Sequence, residues 1–238
     1  MNDAVINETS TWSSRKIAGS LCNPNLLDNW YFLNPVNQRG EKTWSSAGIH
    51  IDRWMAEGSG SISPDGVAVT SKIYQTVDNS VIARLLGKTV SMSGLTGSGE
   101  LIHGILNFPD KMPTEFTVVK STANAFEAVM DPGYNTNQIF RIRGNGVGKT
   151  FAALKAELGS AQTLAHEENG KWVLNELPDY GEQLLHCQQF FQVFEDQTKR
   201  PVNCLDFRPA MRDPGSGKPA LGTIAVSGKT LYTASAEL

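Results

Sequence analysis

An unbroken run of short β-like segments extends from about residue 25 to residue 158 and limits the folds open to this chain. The segments are rich in β-branched and aromatic residues, and glycine, proline, asparagine, aspartate and serine separate them, as in strands joined by turns. The predicted strands are Trp30–Phe32, Gly48–Met55, Gly60–Ser63, Val67–Thr70, Ile73–Thr76, Thr89–Leu95, Leu101–Phe108, Glu115–Lys120, Phe126–Met130, Gln138–Arg143 and Phe151–Ala156. No long helical pattern interrupts them, so we predict a mainly β fold, an antiparallel jelly-roll β-sandwich.

The length leaves room for more than this sandwich. A chain of 238 residues holds one large β-domain with an appendage or two small domains. We predict an N-terminal arm and short linker helix in residues 1–22, the sandwich in residues 23–159, and a small module of one helix and strands in residues 160–238. A helix as short as the first one needs a packing partner.

Apolar residues at helical spacing predict a helix over Pro178–Phe194 in the C-terminal module. Pro178 suits its first turn, and Asp179 and Glu182 favour the positive end of its dipole. The predicted apolar stripe consists of Leu184, Cys187, Phe190, Phe191 and Phe194. The module also contains a predicted turn at Glu167–Gly170 and predicted strands at Cys204–Arg208, Thr223–Val226 and Leu231–Ala234.

Composition excludes several classes of function. A net charge of −3 argues against a sequence-independent grip on nucleic acid, which needs a basic face. Cys22, Cys187 and Cys204 form no Cys-x-x-Cys pair, so neither a disulfide framework, a metal site nor a cofactor is predicted. Residues 1–20 are polar, and no apolar run approaches the roughly 18 residues of a membrane span. We therefore expect synthesis in a cytoplasm without a Sec signal, and no membrane insertion.

The segment Gly144–Thr150 ends like a phosphate-binding loop, with Gly148, Lys149 and Thr150 in sequence. A P-loop requires a first glycine at position 143, which is Arg143 here, and a helix after the loop. The helical propensity of the following residues keeps that alternative open. We favour a glycine-rich hairpin connection between two sandwich strands, with no ATP binding.

No pattern of residues indicates catalysis. His50, His103, His166 and His186 have no serine, cysteine or carboxylate at the spacing of a known constellation, and a Gly-x-Ser-x-Gly elbow is missing. Carboxylates that pair across the sandwich, as in a glycosidase, are invisible in sequence and stay open. We predict that the protein is not an enzyme.

Several ordered motifs resemble one family. The segments 25–29 (Asn-Leu-Leu-Asp-Asn), 34–40 (Asn-Pro-Val-Asn-Gln-Arg-Gly) and 51–54 (Ile-Asp-Arg-Trp) resemble the opening of the carbohydrate-binding-module-like β-sandwich in tail-fibre and minor structural proteins of phages and prophages from gut Firmicutes. Further similar segments are 11–17, 156–160, 180–184, 187–191, Met211-Arg212, Tyr232 and 234–238. The chain departs from the family at Ala156, where leucine is usual, and in a shorter final module.

The resemblance implies a virion tail protein that contacts host-surface polysaccharide through its sandwich, together with other tail proteins. It brings no catalytic residues. The alternative is a purely structural adaptor or decoration protein that makes only protein contacts. We also expect a homo-oligomer, most simply a trimer, because the N-terminal helix and the Pro178–Phe194 helix both present apolar faces.

Trp44 and Tyr134 are the predicted glycan-binding residues, because both aromatics fall in polar loops where a ring can stack on a sugar. The alternative is that either ring packs over the sandwich edge. Trp30, Phe32 and Trp54 are predicted to be core residues. Asp52 and Arg53 are interpreted as a structural pair at the start of a strand, with calcium ligation by Asp52 left open.

Overall fold

The structure, a computed structural model, describes residues 23–77, 79–132, 139–212, 217–226 and 228–236. The predicted N-terminal arm and linker helix in residues 1–22 lie outside the described residues, together with Cys22 and Tyr134. Within the described ranges the prediction of a mainly β, antiparallel fold is confirmed.

The elements follow the turn-punctuated pattern of the sequence. The strands are β1 (Thr43–Trp44), β2 (Gly48–Ile51), β3 (Trp54–Ala56), β4 (Gly60–Ser63), β5 (Gly66–Val69), β6 (Lys72–Thr76), β7 (Thr89–Thr96), β8 (Leu101–Asn107), β9 (Thr117–Lys120), β10 (Phe126–Asp131), β11 (Ile139–Asn145), β12 (Thr150–Leu158), β13 (Ala165–Glu168), β14 (Lys171–Leu174), β15 (Phe191–Phe194), β16 (Ala220–Val226) and β17 (Lys229–Ser235). The helical elements are α1 (Asn79–Leu85), α2 (Tyr180–Gln188) and the 3-10 turns η1 (Gln197–Lys199) and η2 (Cys204–Asp206).

Two six-stranded antiparallel sheets form the body of the protein. Sheet I has the strand order β1-β4-β5-β12-β7-β8, and sheet II has the order β2-β3-β6-β11-β10-β9. Both sheets are open, so each has two edges. The hairpin β13-β14 and a three-stranded sheet of order β15-β17-β16 belong to the C-terminal part.

Sheets I and II contribute to one hydrophobic core. Phe151 of sheet I and Phe126 of sheet II are both buried members of a single cluster. A Cβ atom added to Gly144 in β11 would lie 3.7 Å from side-chain atoms of both Leu154 and Phe151 in β12, which shows how closely the sheets approach. Burying side chains of this size contributes about 1.5–3 kcal/mol each to folding.

Residues 25–32 extend sheet I by running antiparallel to β12. The backbone N–H of Leu26 donates to Ala156 O at 2.8 Å. The Asn25 side chain adds two hydrogen bonds to this pairing. Its Oδ1 accepts from Ala156 N at 3.1 Å, and its Nδ2 donates to Leu154 O at 2.9 Å. This pairing gives the start of the described chain a fixed register on the centre of the sheet.

The face of β12 that points away from sheet II carries buried charges. Leu154 points toward sheet II, so Lys155 and Glu157 point the other way, and both are fully buried. The Glu157 carboxylate accepts from the backbone N–H and the hydroxyl of Thr163 at 2.6 and 2.5 Å. Lys155 Nζ lies 3.0 Å from Glu176 Oε1 and 4.0 Å from Glu157 Oε2. Polar contacts therefore hold residues 160–176 over this face of sheet I.

Two predicted strands differ from the structure. Gly48–Met55 is divided into β2 and β3 by a turn in which Arg53 adopts a positive φ of 71°. Trp30–Phe32 forms only a single bridge, from Tyr31 to Ala153, within the segment that pairs with β12. In both places tertiary contacts interrupt the pattern that the composition favours.

The predicted helix over Pro178–Phe194 is wrong in its second half. Helix α2 spans only Tyr180–Gln188, with Asp179 as N-cap accepting from Glu182 N at 2.9 Å. The aromatic residues after it form β15, which pairs with β17. Because Phe191 finds a partner strand and a buried environment there, tertiary packing overrides the helical spacing.

The region after β15 also departs from prediction. The predicted strand Cys204–Arg208 is wrong: the chain forms the 3-10 turn η2, in which Cys204 and Phe207 anchor a small second hydrophobic cluster. The predicted strands Thr223–Val226 and Leu231–Ala234 are confirmed within β16 and β17. Helix α1 was not predicted.

Of the two Gly-containing connections, the first forms the predicted turn, and the second does not form the predicted hairpin. The Glu167–Gly170 turn joins β13 to β14, with positive φ values of 51° at Asn169 and 75° at Gly170, as a two-residue hairpin loop favours. The glycine-rich segment ending at Thr150 leads into strand β12, not into a helix. It carries the chain from sheet II to sheet I, so it is not a hairpin within one sheet.

Candidate binding cleft

The segments that carry the family resemblance meet in one polar network. Asp52 accepts from Arg39 NH1 at 2.6 Å and from Gln38 Nε2 at 2.8 Å, with its side chain fully buried. Arg53 Nε donates to Asp28 Oδ2 at 3.0 Å. The structure therefore shows an ion pair of Asp52 with Arg39 and one of Arg53 with Asp28, whereas the sequence was interpreted as pairing Asp52 with Arg53.

Asn29 lies at the centre of this network. Its side chain donates to Val36 O and Asp52 O, both at 2.8 Å, and accepts from Val36 N at 2.8 Å. Its backbone has a positive φ of 50°, a conformation that asparagine tolerates better than most residues. Trp54 Nε1 donates to Asn29 O at 2.9 Å. The buried amide thus holds the three resemblance segments together.

The same network attaches the C-terminal module to the body. Asn29 N donates to Gln183 Oε1 in α2 at 2.6 Å, and Gln38 Nε2 donates to Phe191 O at 2.8 Å. The guanidinium carbon of Arg39 lies 3.6 Å from the ring centre of Phe191. Cation–π contacts of this kind contribute about 0.5–2 kcal/mol, more when water is excluded.

A second arginine, Arg53, makes the same kind of contact with Phe190, the residue before Phe191. The guanidinium carbon of Arg53 lies 3.5 Å from the ring centre of Phe190, and Arg53 NH2 donates to Thr76 O at 3.1 Å. Arg53 is thereby bound by a carboxylate, a backbone carbonyl and an aromatic ring. Arg39 and Arg53, both in resemblance segments, therefore contact Phe191 and Phe190, which follow α2.

Beside this contact lies a cleft of about 400 Å³ between the body and the C-terminal module. Its apolar lining is Leu26, Val77, Val81, Phe190 and Met211. Its polar lining is Asp28, Arg53, Gln75, His186, Gln189 and Arg212. A concave, mainly apolar surface with a few converging polar groups is the usual form of a small-ligand site.

Asp28 and His186 form an ion pair across the cleft, with His186 Nδ1 3.6 Å from Asp28 Oδ1. The nearby Asp28 carboxylate raises the pKa of His186 above its ordinary value of 6.5, and partial burial opposes this only in part. Burial acts to raise the pKa of Asp28, but His186 and Arg53 outweigh it and hold that pKa below 3.8. Shifted pKa values on both sides of a cleft are typical of functional sites.

The ion pair should make the stability of the protein depend weakly on pH. The raised pKa of His186 means that its contribution is complete below pH 6.5 and is lost as the pH rises through the raised value. The lowered pKa of Asp28 means that its contribution is present above pH 3.8 and is lost in stronger acid. Between pH 6 and 8 this effect should lower the free energy of unfolding of the wild type by less than about 1 kcal/mol, because 60% of the His186 side chain is exposed. The His186→Gln variant should lack this change.

Urea unfolding at pH 6, 7 and 8 measures this effect. The charged groups that share the cleft with His186 or act on its pKa are Asp28, Arg53, Arg212 and Glu182. His166→Gln is the control, since His166 lies on β13, away from the cleft. A pH dependence that is the same in wild type and His186→Gln would contradict the prediction.

The structure does not place Trp44 in a loop, so that part of the sequence prediction is wrong. Trp44 lies in β1, is only 8% exposed, and stacks on His50 with ring centres 4.8 Å apart. Its indole also covers Gly60 of β4, where a Cβ atom would lie 2.4 Å from the ring. The ring has no open face for a sugar here. Tyr134 lies outside the described residues and stays a prediction.

Two further cavities flank the glycine-rich segment before β12. One of about 370 Å³ is lined by Asp65, Glu100, Lys149 and small polar residues, and one of about 670 Å³ by Val147 and residues of β4 and β5. No aromatic side chain lines either cavity. The cleft beside α2 is the only one of these three that combines an aromatic ring with charged groups.

Further findings concern metal binding, membranes and related proteins. In the part of the chain that the structure describes, no group of three or more His, Cys, Asp or Glu side chains is arranged to hold a metal ion. None of the helices described there has the length and apolar character needed to cross a bilayer. The chain matches no protein-family model, no curated protein and no solved structure.

Sequence reasoning missed most of the cleft. Its residues come from five separate stretches of chain, and no sequence pattern brought these stretches together. The lining residues that belong to resemblance segments are Leu26, Asp28, Arg53, Gln189, Phe190, Met211 and Arg212. Val81 lies on the unpredicted helix α1. The helical spacing continues through Phe190, but α2 ends before it.

Proposed function

We propose that the protein is a structural and receptor-binding component of a phage tail, whose two sheets form a jelly-roll sandwich and which contacts host-surface glycans. On this proposal it acts by binding, without catalysis, and the cleft beside α2 is the glycan site. The proposal extends the family resemblance, which names the same class of protein.

The observation that carries the proposal is that the resemblance segments border the cleft. Leu26, Asp28 and Arg53 come from these segments and line it. An amide, a carboxylate, an imidazole and guanidinium groups surround an apolar floor with an aromatic ring, which is the combination that fixes sugar hydroxyls and packs on a sugar ring. The rigid network around Asn29 and Asp52 keeps these groups in place without a ligand.

Binding to cells tests the proposal. We expect the full-length protein to be pulled down by cells of its host and by their purified wall polysaccharide, weakly per site and more strongly as an oligomer. Gln189→Ala, in the cleft, should reduce retention several-fold, whereas Lys171→Ala on β14 should not. Tyr134→Ala tests the remaining sequence prediction. Failure of the wild type to bind any plausible host surface would remove the receptor-binding function.

The C-terminal module gives specific support to a second function, that of a structural adaptor. Several large apolar side chains are exposed there: Leu177, Leu185, Val202, Leu205 and Leu221, with Leu205 at 78%. The edge strand β16 is exposed along most of its length and contains no charged residue. Exposed apolar surface and an open edge strand are features of protein–protein contact.

We also predict that the protein forms a homotrimer. Leu177, Tyr180 and Leu185, at and before α2, are apolar and exposed in the single chain, so association would remove them from water. Light scattering of the full-length protein should give three times the 25.9 kDa mass of the chain. Leu185→Lys should shift the distribution toward monomer, and Lys171→Leu serves as a control elsewhere on the surface. A monomer at micromolar concentration would contradict the prediction.

A further inference from the structure

Among the described residues that line the cleft, positively charged side chains outnumber carboxylates. Arg53 and Arg212 supply guanidinium groups, against the single carboxylate of Asp28. His186 adds a positive charge whenever its imidazole is protonated. The cleft therefore attracts negatively charged groups more strongly than the protein as a whole, whose net charge is −3.

The two arginines have different surroundings. Arg53 is bound at 3.0 Å to Asp28, at 3.1 Å to Thr76 O, and stacks on Phe190, so its role is largely structural. Arg212 is held at its backbone, where its N–H donates to Gln189 O at 2.6 Å. Its guanidinium carbon lies 6.0 Å from the ring centre of Phe190, on the cleft wall. A guanidinium fork matches the geometry of a carboxylate or phosphate.

We infer that the cleft binds an anionic unit of a glycan, namely a sugar or polyol that carries a carboxylate or a phosphate. This inference rests on the proposed glycan-binding function and defines its ligand. Arg212 and His186 bind the anionic group, and the side-chain amide of Gln189 binds neighbouring hydroxyls. The carbon skeleton packs on Val81 and Phe190, and the volume of about 400 Å³ fits one such unit.

Titration of the full-length protein with small probes tests this inference. NMR line shifts are followed with glucuronate and with glycerol phosphate, and with glucose and glycerol as the neutral counterparts. We expect both anions to bind with millimolar dissociation constants, and the neutral probes to bind at least tenfold more weakly. Comparing the two anions shows whether a uronate or a polyol phosphate is the preferred source of the charge.

Variants assign the effect to the cleft. Arg212→Ala should weaken glucuronate binding tenfold or more, while Lys171→Ala, which removes one positive charge from an exposed position on β14, should leave it unchanged. Glucuronate stays ionised between pH 6 and 8, so stronger binding at pH 6 reports on the protein, and His186→Gln should abolish that difference. Gln189→Ala, at an exposed position, provides a second test if Arg212→Ala does not fold.

Equal affinity for glucose and glucuronate, or wild-type affinity in both Arg212→Ala and Gln189→Ala, would overturn the inference. Its failure is distinguishable from failure of the proposed function. If the protein binds host cells but neither anion competes, the function stands and the anionic ligand is wrong. If the anions bind but no host surface retains the protein, the site stands and receptor binding is wrong.

Discussion

Replacing Asp52 with alanine should lower the free energy of unfolding by about 3–5 kcal/mol, because it leaves a buried positive charge without its partner. The Arg39 side chain that pairs with Asp52 at 2.6 Å is only 10% exposed. Gln38 loses an acceptor for its side chain and its backbone N–H at the same time. Urea unfolding of the variant and the wild type measures the difference.

The Asp52 variant should also loosen the C-terminal module. Arg39 and Gln38 both contact Phe191, so their release weakens the attachment of β15 to the body. Hydrogen exchange should increase in residues 180–194 more than in β12. Asp52→Asn keeps an oxygen acceptor in a side chain of the same size, so its free energy of unfolding should lie between those of the wild type and Asp52→Ala. A loss of less than about 1 kcal/mol in Asp52→Ala would show that the network does not stabilise the fold as argued.

Replacing Glu157 with alanine should have an effect of similar size, about 3–5 kcal/mol, because it leaves two donors of Thr163 without their acceptor and removes one of the two carboxylates near Lys155. Lys155 keeps Glu176 as a partner at 3.0 Å. Lys155 and Glu157 are both shielded from water, each with 0% side-chain accessibility. The alanine variant also removes the acceptor of the Thr163 N–H, which lies 2.6 Å from the carboxylate. An unsatisfied buried donor adds about 1–3 kcal/mol to the loss.

Controls separate buried charge from ion pairing in general. Glu127→Ala removes the partner of Lys72 in a salt bridge of 2.6 Å that is partly exposed, and should cost less than about 1 kcal/mol. The double variant Lys155→Met/Glu157→Gln removes the buried charges together and keeps an acceptor for Thr163, so most of the stability should return. If Glu127→Ala and Glu157→Ala are equally destabilised, burial is not the cause.

The sequence predicted those parts of the fold that depend on local chemistry. Alternating β-branched and polar residues bounded by turn residues gave the positions of β4, β7, β8 and β10 to within about two residues. The Asn169-Gly170 turn was predictable because both residues accept a positive φ. These features need no knowledge of distant contacts.

The features that the sequence did not predict depend on partners far along the chain. Phe191 has helical spacing to Cys187, but pairing with β17 places it in a strand. Trp44 follows a polar stretch typical of a loop, and only the folded chain brings His50 and Gly60 against its ring. The cleft could not be predicted because no local pattern links the segment containing Asp28 to Gln189 and Arg212.

The pairing of residues 25–32 with β12 also determines when the sheet can form during synthesis. Asn25 bonds to Leu154 across 129 positions, and Asn29 bonds to Gln183 across 154. At about 5–20 residues per second, the ribosome needs roughly 6–26 s after making Asn25 to produce its partner strand. Until then Trp30 and Phe32 cannot be buried in their native positions. The central strands of sheet I pair only after most of the body has left the ribosome. Folding should therefore be slow and late, since non-local pairing must precede the stabilising contacts.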